Sequence, residues 1–209
     1  MGLLRSSGLL DRAELYAHLL YNESSYDWLK EEYKDYKNIK WIFNPKALPD
    51  EKETPTAILM KEVADSATEE FYALYLHQKC VTHSGKPTYV NCVEWRHMMQ
   101  YWNIERWRDC VSKLDEGYDS VGCCLVDNDW LGPHYSGNIW WSRSSYLQKC
   151  RKYQPPSEVG FNGQGKQQGH NRCHYDVESW LGTANGKMAT LYDSGVNHYH
   201  VSWPTTRYR

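Results

Sequence analysis

Apolar and polar positions change period several times along the chain, and each change predicts an element. Gly2 to Asp11 is a short apolar piece interrupted by Ser6-Ser-Gly8, the spelling of a strand that enters a tight loop. From Asp11, an N-cap residue, the spacing of Leu15, Leu19 and Leu20 predicts a helix. Asn38 to Asn44 alternates as a strand does, and Pro45 to Pro55 is polar and Pro-bearing, a loop. Ile58, Leu59, Val63 and Ala67 return to helical spacing over Thr56 to Thr68. Phe71 to Leu76 is a continuous apolar run that predicts a buried strand, closing at His77-Gln-Lys79. A loop over Cys80 to Tyr89 follows. The apolar set Trp95, Met98, Met99, Trp102, Trp107, Val111 and Leu114 then predicts one long helix or two short ones.

Tyr118 to Val126 reads as a second buried strand, ending at Asp127-Asn-Asp129, and Ser136 to Trp141 as a third. Ser144 to Tyr153 reads as a helix. Pro155 to Gly169, rich in Gly, Gln and Pro, reads as a mobile loop. Asp176 to Leu181 is a short helical piece, and a tail from Tyr192 to Pro204 carries Asn197-His-Tyr-His200. Strands alternate with helices, without an internal repeat or a long linker. The expectation is one α/β domain over residues 1–209, a central mixed and mostly parallel sheet flanked by helices.

Composition narrows the function classes. The formal net charge is -2 in 209 residues, so no basic excess exists to neutralise a phosphate backbone, and nucleic acid is not an expected partner. The seven cysteines are odd in number and form no C-x-x-C pair, against a zinc site or a full disulfide framework. No charged leader precedes an apolar stretch at Met1, and no apolar run reaches membrane-span length. A soluble protein of a reducing compartment, the cytoplasm, is expected. Ten Trp and 17 Tyr against 3 Phe change the picture further, because rings with a flat face and a polar edge suit stacking on sugars or bases as well as ordinary packing.

Open α/β sheets bind ligands beyond the carboxyl ends of their strands, which singles out Ser6-Ser-Gly8, His77-Gln-Lys79 and Asp127-Asn-Asp129. Asp-x-Asp after a buried strand is a metal–diphosphate clamp or a plain turn. His77 and Lys79 share one side of an extended segment with Gln78 opposed; an imidazole ligates metal and an ammonium holds phosphate, or both end in solvent. His198 and His200 likewise share a side, as a metal pair or a surface pair. Asp176 and Glu178, near a helix start, either complement its dipole or supply a base to an acceptor hydroxyl. Gly137 inside an apolar stretch marks a close approach or a bulge, and Asn138 beside it offers an amide to a sugar hydroxyl.

Taken together, Ser7-Gly-Leu-Leu-Asp11, Leu74-Tyr-Leu-His-Gln-Lys79, Trp95-Arg-His-Met98, His134-Tyr-Ser-Gly-Asn-Ile-Trp-Trp141 and Glu178-Ser-Trp-Leu181 resemble, in order and over most of the chain, a group of GT-A glycosyltransferases. The length and motif set are similar to the amino-terminal glycosyltransferase domain of a multidomain chlorovirus protein, from viruses that glycosylate their own capsid protein. The resemblance implies a GT-A (Rossmann-like) fold, a UDP-sugar donor, Mn²⁺ or Mg²⁺ on the diphosphate, and an oligosaccharide or glycoprotein acceptor. It implies Ser6, Ser7, Gly8 and Leu9 at the nucleotide and His77, Gln78 and Lys79 where many such enzymes carry Asp-x-Asp. Gly137 and Asn138 would line the donor sugar, and Asp176 and Glu178 would be the acidic pair near the reacting carbon. His198 or His200 would be a late metal ligand, as in glycogenin-like sites, which also points to retention.

The chain departs from the family spelling at Gln78, where Thr is usual, and at Cys80-Val81, where Gly is usual. With no Asp-x-Asp at that strand end, the metal ligands are to be sought among His77, Asp127, Asp129, His198 and His200, with Lys79 supplying part of the charge. Trp130 and Tyr135 are expected to stack on the acceptor. The rival readings are a non-catalytic carbohydrate-binding module and a glycoside hydrolase using Asp127 and Glu178.

Overall fold

A computed structural model describes residues 1–20, 23–45, 53–80, 83–127, 131–152 and 177–209. By its contacts the chain groups into two compact units, Met1–Met60 with Tyr153–Val177, and Lys61–Lys152 with Glu178–Arg209. The class is mixed α/β, with strands in three sheets of mixed orientation among the described residues. No helix among the described residues is long and apolar enough to cross a membrane.

In the first unit, α1 (Gly2–Ser6) leads to β1 (Leu15–Leu20), α2 (Glu23–Glu32), β2 (Ile39–Asn44) and the start of α3 (Thr54–Ser66). Strands β1 and β2 pair in parallel from Leu15↔Ile39 to Leu20↔Asn44, and α2 provides the crossover that a parallel pair requires. Tyr26 of α2 stacks on Phe43 at 4.9 Å and meets Trp41 edge-on at 6.4 Å. Two expectations fail here. Gly2 to Ser6 is a helix because two adjacent Leu pairs carry no period of two, and Ser6-Ser-Gly8 ends it: the Gly8 amide, at φ 71°, returns to Arg5 O. Residues 15–20 are a strand because pairing with β2 overrides helical spacing.

The second unit holds the rest of α3, β3 (Tyr72–Tyr75), α4 (Tyr89–Gln100), α5 (Trp107–Asp115), β4 (Ser120–Cys123), β5 (Leu125–Val126), β6 (His134–Tyr135), β7 (Trp140–Arg143), α6 (Ser144–Lys149) and β8 (Met188–Tyr192). Its main sheet runs β3-β7-β4-β8. Strand β7 is antiparallel to both β3 and β4, and only β4/β8 is parallel. The expected mostly parallel sheet is therefore corrected for this unit. The β4-to-β7 connection is taken up by the β5/β6 pair and holds no crossover helix among the described residues, so β7 returns antiparallel to β4.

Two interruptions shape the unit. The run expected as one strand over 118–126 breaks at Cys124, which takes φ 51°, and β5 leaves the main sheet to pair with β6. The long apolar helix breaks at a π-helical segment, Tyr101–Glu105. There Asn103 turns inward, donating through Nδ2 to Met99 O (2.9 Å), while Trp141 Nε1 donates to Asn103 O (2.9 Å). The wider π register frees a carbonyl, and β7 takes it. Trp95, Met98 and Met99 of α4 pack with Cys123, Cys124, Ile139 and Tyr208 as a core, each large side chain contributing about 1.5–3 kcal/mol of burial.

Candidate functional site

The end of β3 keeps the alternation its sequence predicts. Gln78 is exposed, His77 half-buried, and Lys79 only 6% exposed. His77 Nε2 donates to Gly137 O at 3.0 Å, which places a ring proton on that nitrogen. The His77 ring lies 5.9 Å from Tyr75, and Tyr75 stacks on Trp140 at 5.2 Å. Strand end and turn are thus joined by one hydrogen bond and a column of rings.

Gly137 and Asn138 were expected inside a strand, but the stretch from Ser136 to Trp141 is a turn followed by β7. Asn138 N donates to Tyr135 O (2.9 Å), and Gly137 (φ 93°) and Asn138 (φ 55°) are both left-handed. Only Gly fits the first of these positions, because a Cβ there would lie 3.0 Å from Trp95 Cζ2 and inside the Met99 thioether. Asn138 is 1% exposed. Its Oδ1 accepts Trp140 Nε1–H at 2.8 Å, which fixes the amide orientation. Its Nδ2 meets no acceptor among the described residues.

Trp95 stands at the centre of this arrangement. The Lys79 ammonium lies 4.3 Å from its ring centroid, and the His198 ring stacks on it at 5.3 Å and 12°. His198 is 3% exposed and its Nε2 shares a 2.7 Å hydrogen bond with Ser194 Oγ. Burial holds this imidazole below its usual range, with Asp193 opposing. Trp95 Nε1 and His198 Nδ1 are buried without a partner among the described residues. No carboxylate forms an ion pair with Lys79 among the described residues, whereas buried Lys61 pairs with Asp65. Lys79, Gly137 and His198, from separate stretches of sequence, therefore meet around one indole, with His77 joined to Gly137 by its hydrogen bond and Asn138 next to Gly137 in the turn.

Residues 197–200 form a turn, closed by His200 N on Asn197 O, and are not extended; His198 is buried and His200 exposed, so the two do not share a side. Asp127 is exposed at the end of β5, while Asp129, Trp130, Asp176 and the stretch 155–169 lie outside the described residues. Glu178 is half-buried beside Trp180, whose indole is anchored to Arg151 O at 2.8 Å. Tyr135 offers no face to an acceptor: it is buried, its hydroxyl donates to Ala189 O (2.9 Å), and burial raises its phenol well above the usual range. Ser6, Ser7, Gly8 and Leu9 belong to the first unit, where Ser6 and Ser7 Oγ donate back to Leu3 O and Leu4 O as a helix ends.

Among the described residues no three His, Cys, Asp or Glu side chains come together as a metal site requires. What the second unit does offer is a buried cation over the Trp95 indole, partnerless ring nitrogens on Trp95 and His198 among the described residues, and a fixed amide donor at Asn138 beside Gly137. That set suits an anion or an oxygen-rich ligand. Sequence reasoning missed Trp95 and Ser194 as parts of it. Trp95 sits at a helical period that reads as core, and Ser194 falls in a segment with no strand-end signal. No protein-family model, no curated protein and no solved structure matches the chain.

Proposed function

We propose that this protein is a glycosyltransferase of the GT-A type that moves a sugar from a nucleoside diphosphate, by the motif resemblance UDP, to a glycan acceptor. The observation that supports the reading is that four of the donor-side residues of the resembling motifs are linked in the second unit: His77 bonds Gly137 O, Asn138 follows Gly137, and buried Lys79 lies over Trp95, on which Gly137 closes. A departing diphosphate gains negative charge as the glycosidic bond breaks. Lys79, unpaired with any carboxylate among the described residues, offsets that charge where water is scarce, the setting in which a fixed charge stabilises a transition state most. Trp140 holds Asn138 Oδ1, so Nδ2 is presented in a fixed direction to an oxygen of the donor sugar. The His77 bond to Gly137 O ties the strand end that carries Lys79 to the turn that carries Asn138. A divalent metal would add charge at the diphosphate, but the described residues do not assemble its ligands, and no step here passes through it.

The test is UDP release from a panel of UDP-sugars, with and without Mn²⁺ or Mg²⁺. Lys79→Ala is expected to lower turnover about 10²–10³-fold, as removal of one charge-stabilising group does, with an unchanged far-UV spectrum. Equal rates in parent and variant remove Lys79 from the reaction. Sugar release from a glycan without nucleotide points to a hydrolase instead, and glycan binding without turnover to a binding module.

A further inference from the structure

A buried ammonium is costly unless something compensates its lost hydration, and the usual compensation is a carboxylate. Lys79 has none among the described residues. A carboxylate there would compete with an anionic substrate for the same charge. The indole face of Trp95 attracts a cation through its quadrupole yet carries no charge of its own. We propose that Trp95 is the positioning residue for Lys79, standing in place of a counter-ion so that the ammonium is held in a water-poor site with its full positive charge left for an incoming anion. This role rests on the reading in which Lys79 meets the leaving diphosphate.

The surroundings of Trp95 fit a rigid seat. His198 stacks on the indole and is itself pinned by Ser194. Tyr199 meets it edge-on at 5.4 Å and 80°. The Gly137 backbone approaches Cζ2 so closely that a Cβ there would stand 3.0 Å from it. Arg96, the next residue of α4, donates through Nη1 to Lys79 O at 3.4 Å, which ties the backbone of the lysine to the helix that carries the indole. Side chain and main chain of Lys79 are thus both registered to α4.

The experiment replaces Trp95 alone with mono-, di- and trifluorotryptophan, the fluorines placed away from Cζ2, and measures the affinity for inorganic pyrophosphate by calorimetry. Fluorine drains the ring face of negative potential with little change of shape. Kd is expected to rise stepwise, about threefold to tenfold across the series, while the thermal midpoint stays that of the parent. Lys79→Met is expected to abolish pyrophosphate binding. Fluorinated proteins that bind as the parent does overturn the role of Trp95 and leave the anion site at Lys79 standing. Failure of the parent to bind pyrophosphate, or undiminished binding by Lys79→Met, overturns the anion site and this role with it.

Discussion

Gly137 meets two demands at one position: a left-handed backbone at φ 93° and direct packing on Trp95 and Met99. Gly8 meets only the first, since its φ is 71° but nothing stands within 4 Å of where a Cβ would go. The two glycines therefore separate strain from packing. Gly8→Ala is expected to cost about 1 kcal/mol and Gly137→Ala about 2–4 kcal/mol, read from urea denaturation midpoints. Equal losses would show that the turn does not press on the indole. At this scale the sequence was informative where chemistry and a strand end coincide. His77, Lys79, Gly137 and Asn138 were singled out in the chain by their chemistry, although the strand expected around the last two is a turn. Trp95 appeared only within the Trp95-Arg-His-Met98 stretch of the resemblance and was given no role, because a tryptophan at helical spacing looks the same whether it fills a core or seats a cation.

Between elements, the join of β7 to α6 depends on a residue far away in sequence. Helix α6 starts at Ser144 with no cap from its own preceding residue. Glu70 supplies one: Oε1 accepts Ser145 N at 3.0 Å and Ser144 Oγ at 2.9 Å, and Oε2 accepts Ser145 Oγ at 2.8 Å. Glu70→Ala is expected to destabilise the protein by about 0.5–2 kcal/mol, the range for loss of a helix cap, measured by thermal or chemical unfolding. Glu70→Gln, which keeps acceptor and shape, is expected to recover part of that loss. Partial burial works to raise the Glu70 carboxyl, but its hydrogen bonds from Ser145 and Ser144 and the nearby Arg143 outweigh it and hold the group below its ordinary value of 4.5. The cap is therefore complete above that value and is lost as pH falls through the lower, folded one. Helices α3 and α6 and strand β2 were legible from periodicity and caps. α1 and β1 were exchanged in type, because short apolar runs lack the length to distinguish a period of two from one of 3.6.

Across the molecule, acid sensitivity starts with imidazoles that folding desolvates, half-buried His18 and buried His198. His18, bonded through Nδ1 to Thr56 Oγ1 at 3.1 Å, and His198 both lie below the ordinary value of 6.5, chiefly because burial disfavours the charged ring. Between 6.5 and those lower values the unfolded chain binds more protons than the folded one. Stability is then full above about 6.5 and falls as pH drops into that window. Denaturant midpoints at about pH 8 and about pH 5.5 are expected to differ in that direction, and the difference to shrink in a His18→Gln/His198→Gln double variant. A midpoint that does not move between those pH values would mean that the two rings stay hydrated in solution.

The chain by itself determined the α/β class, the place of α3, α6, β2 and β3, Gly137 as a close approach or a bulge, and the polar residues that follow β3; the turn at Gly137 came from the tertiary structure. What the chain determined follows from local rules: hydrophobic period, backbone freedom and side-chain chemistry act over a few residues. Tertiary structure alone decided that the main sheet is largely antiparallel, that His198 and His200 face different surroundings, and that Trp95 lies beneath Lys79. Such outcomes depend on which surfaces exclude water together, and that is settled by partners tens of residues apart, about which a local pattern holds no information.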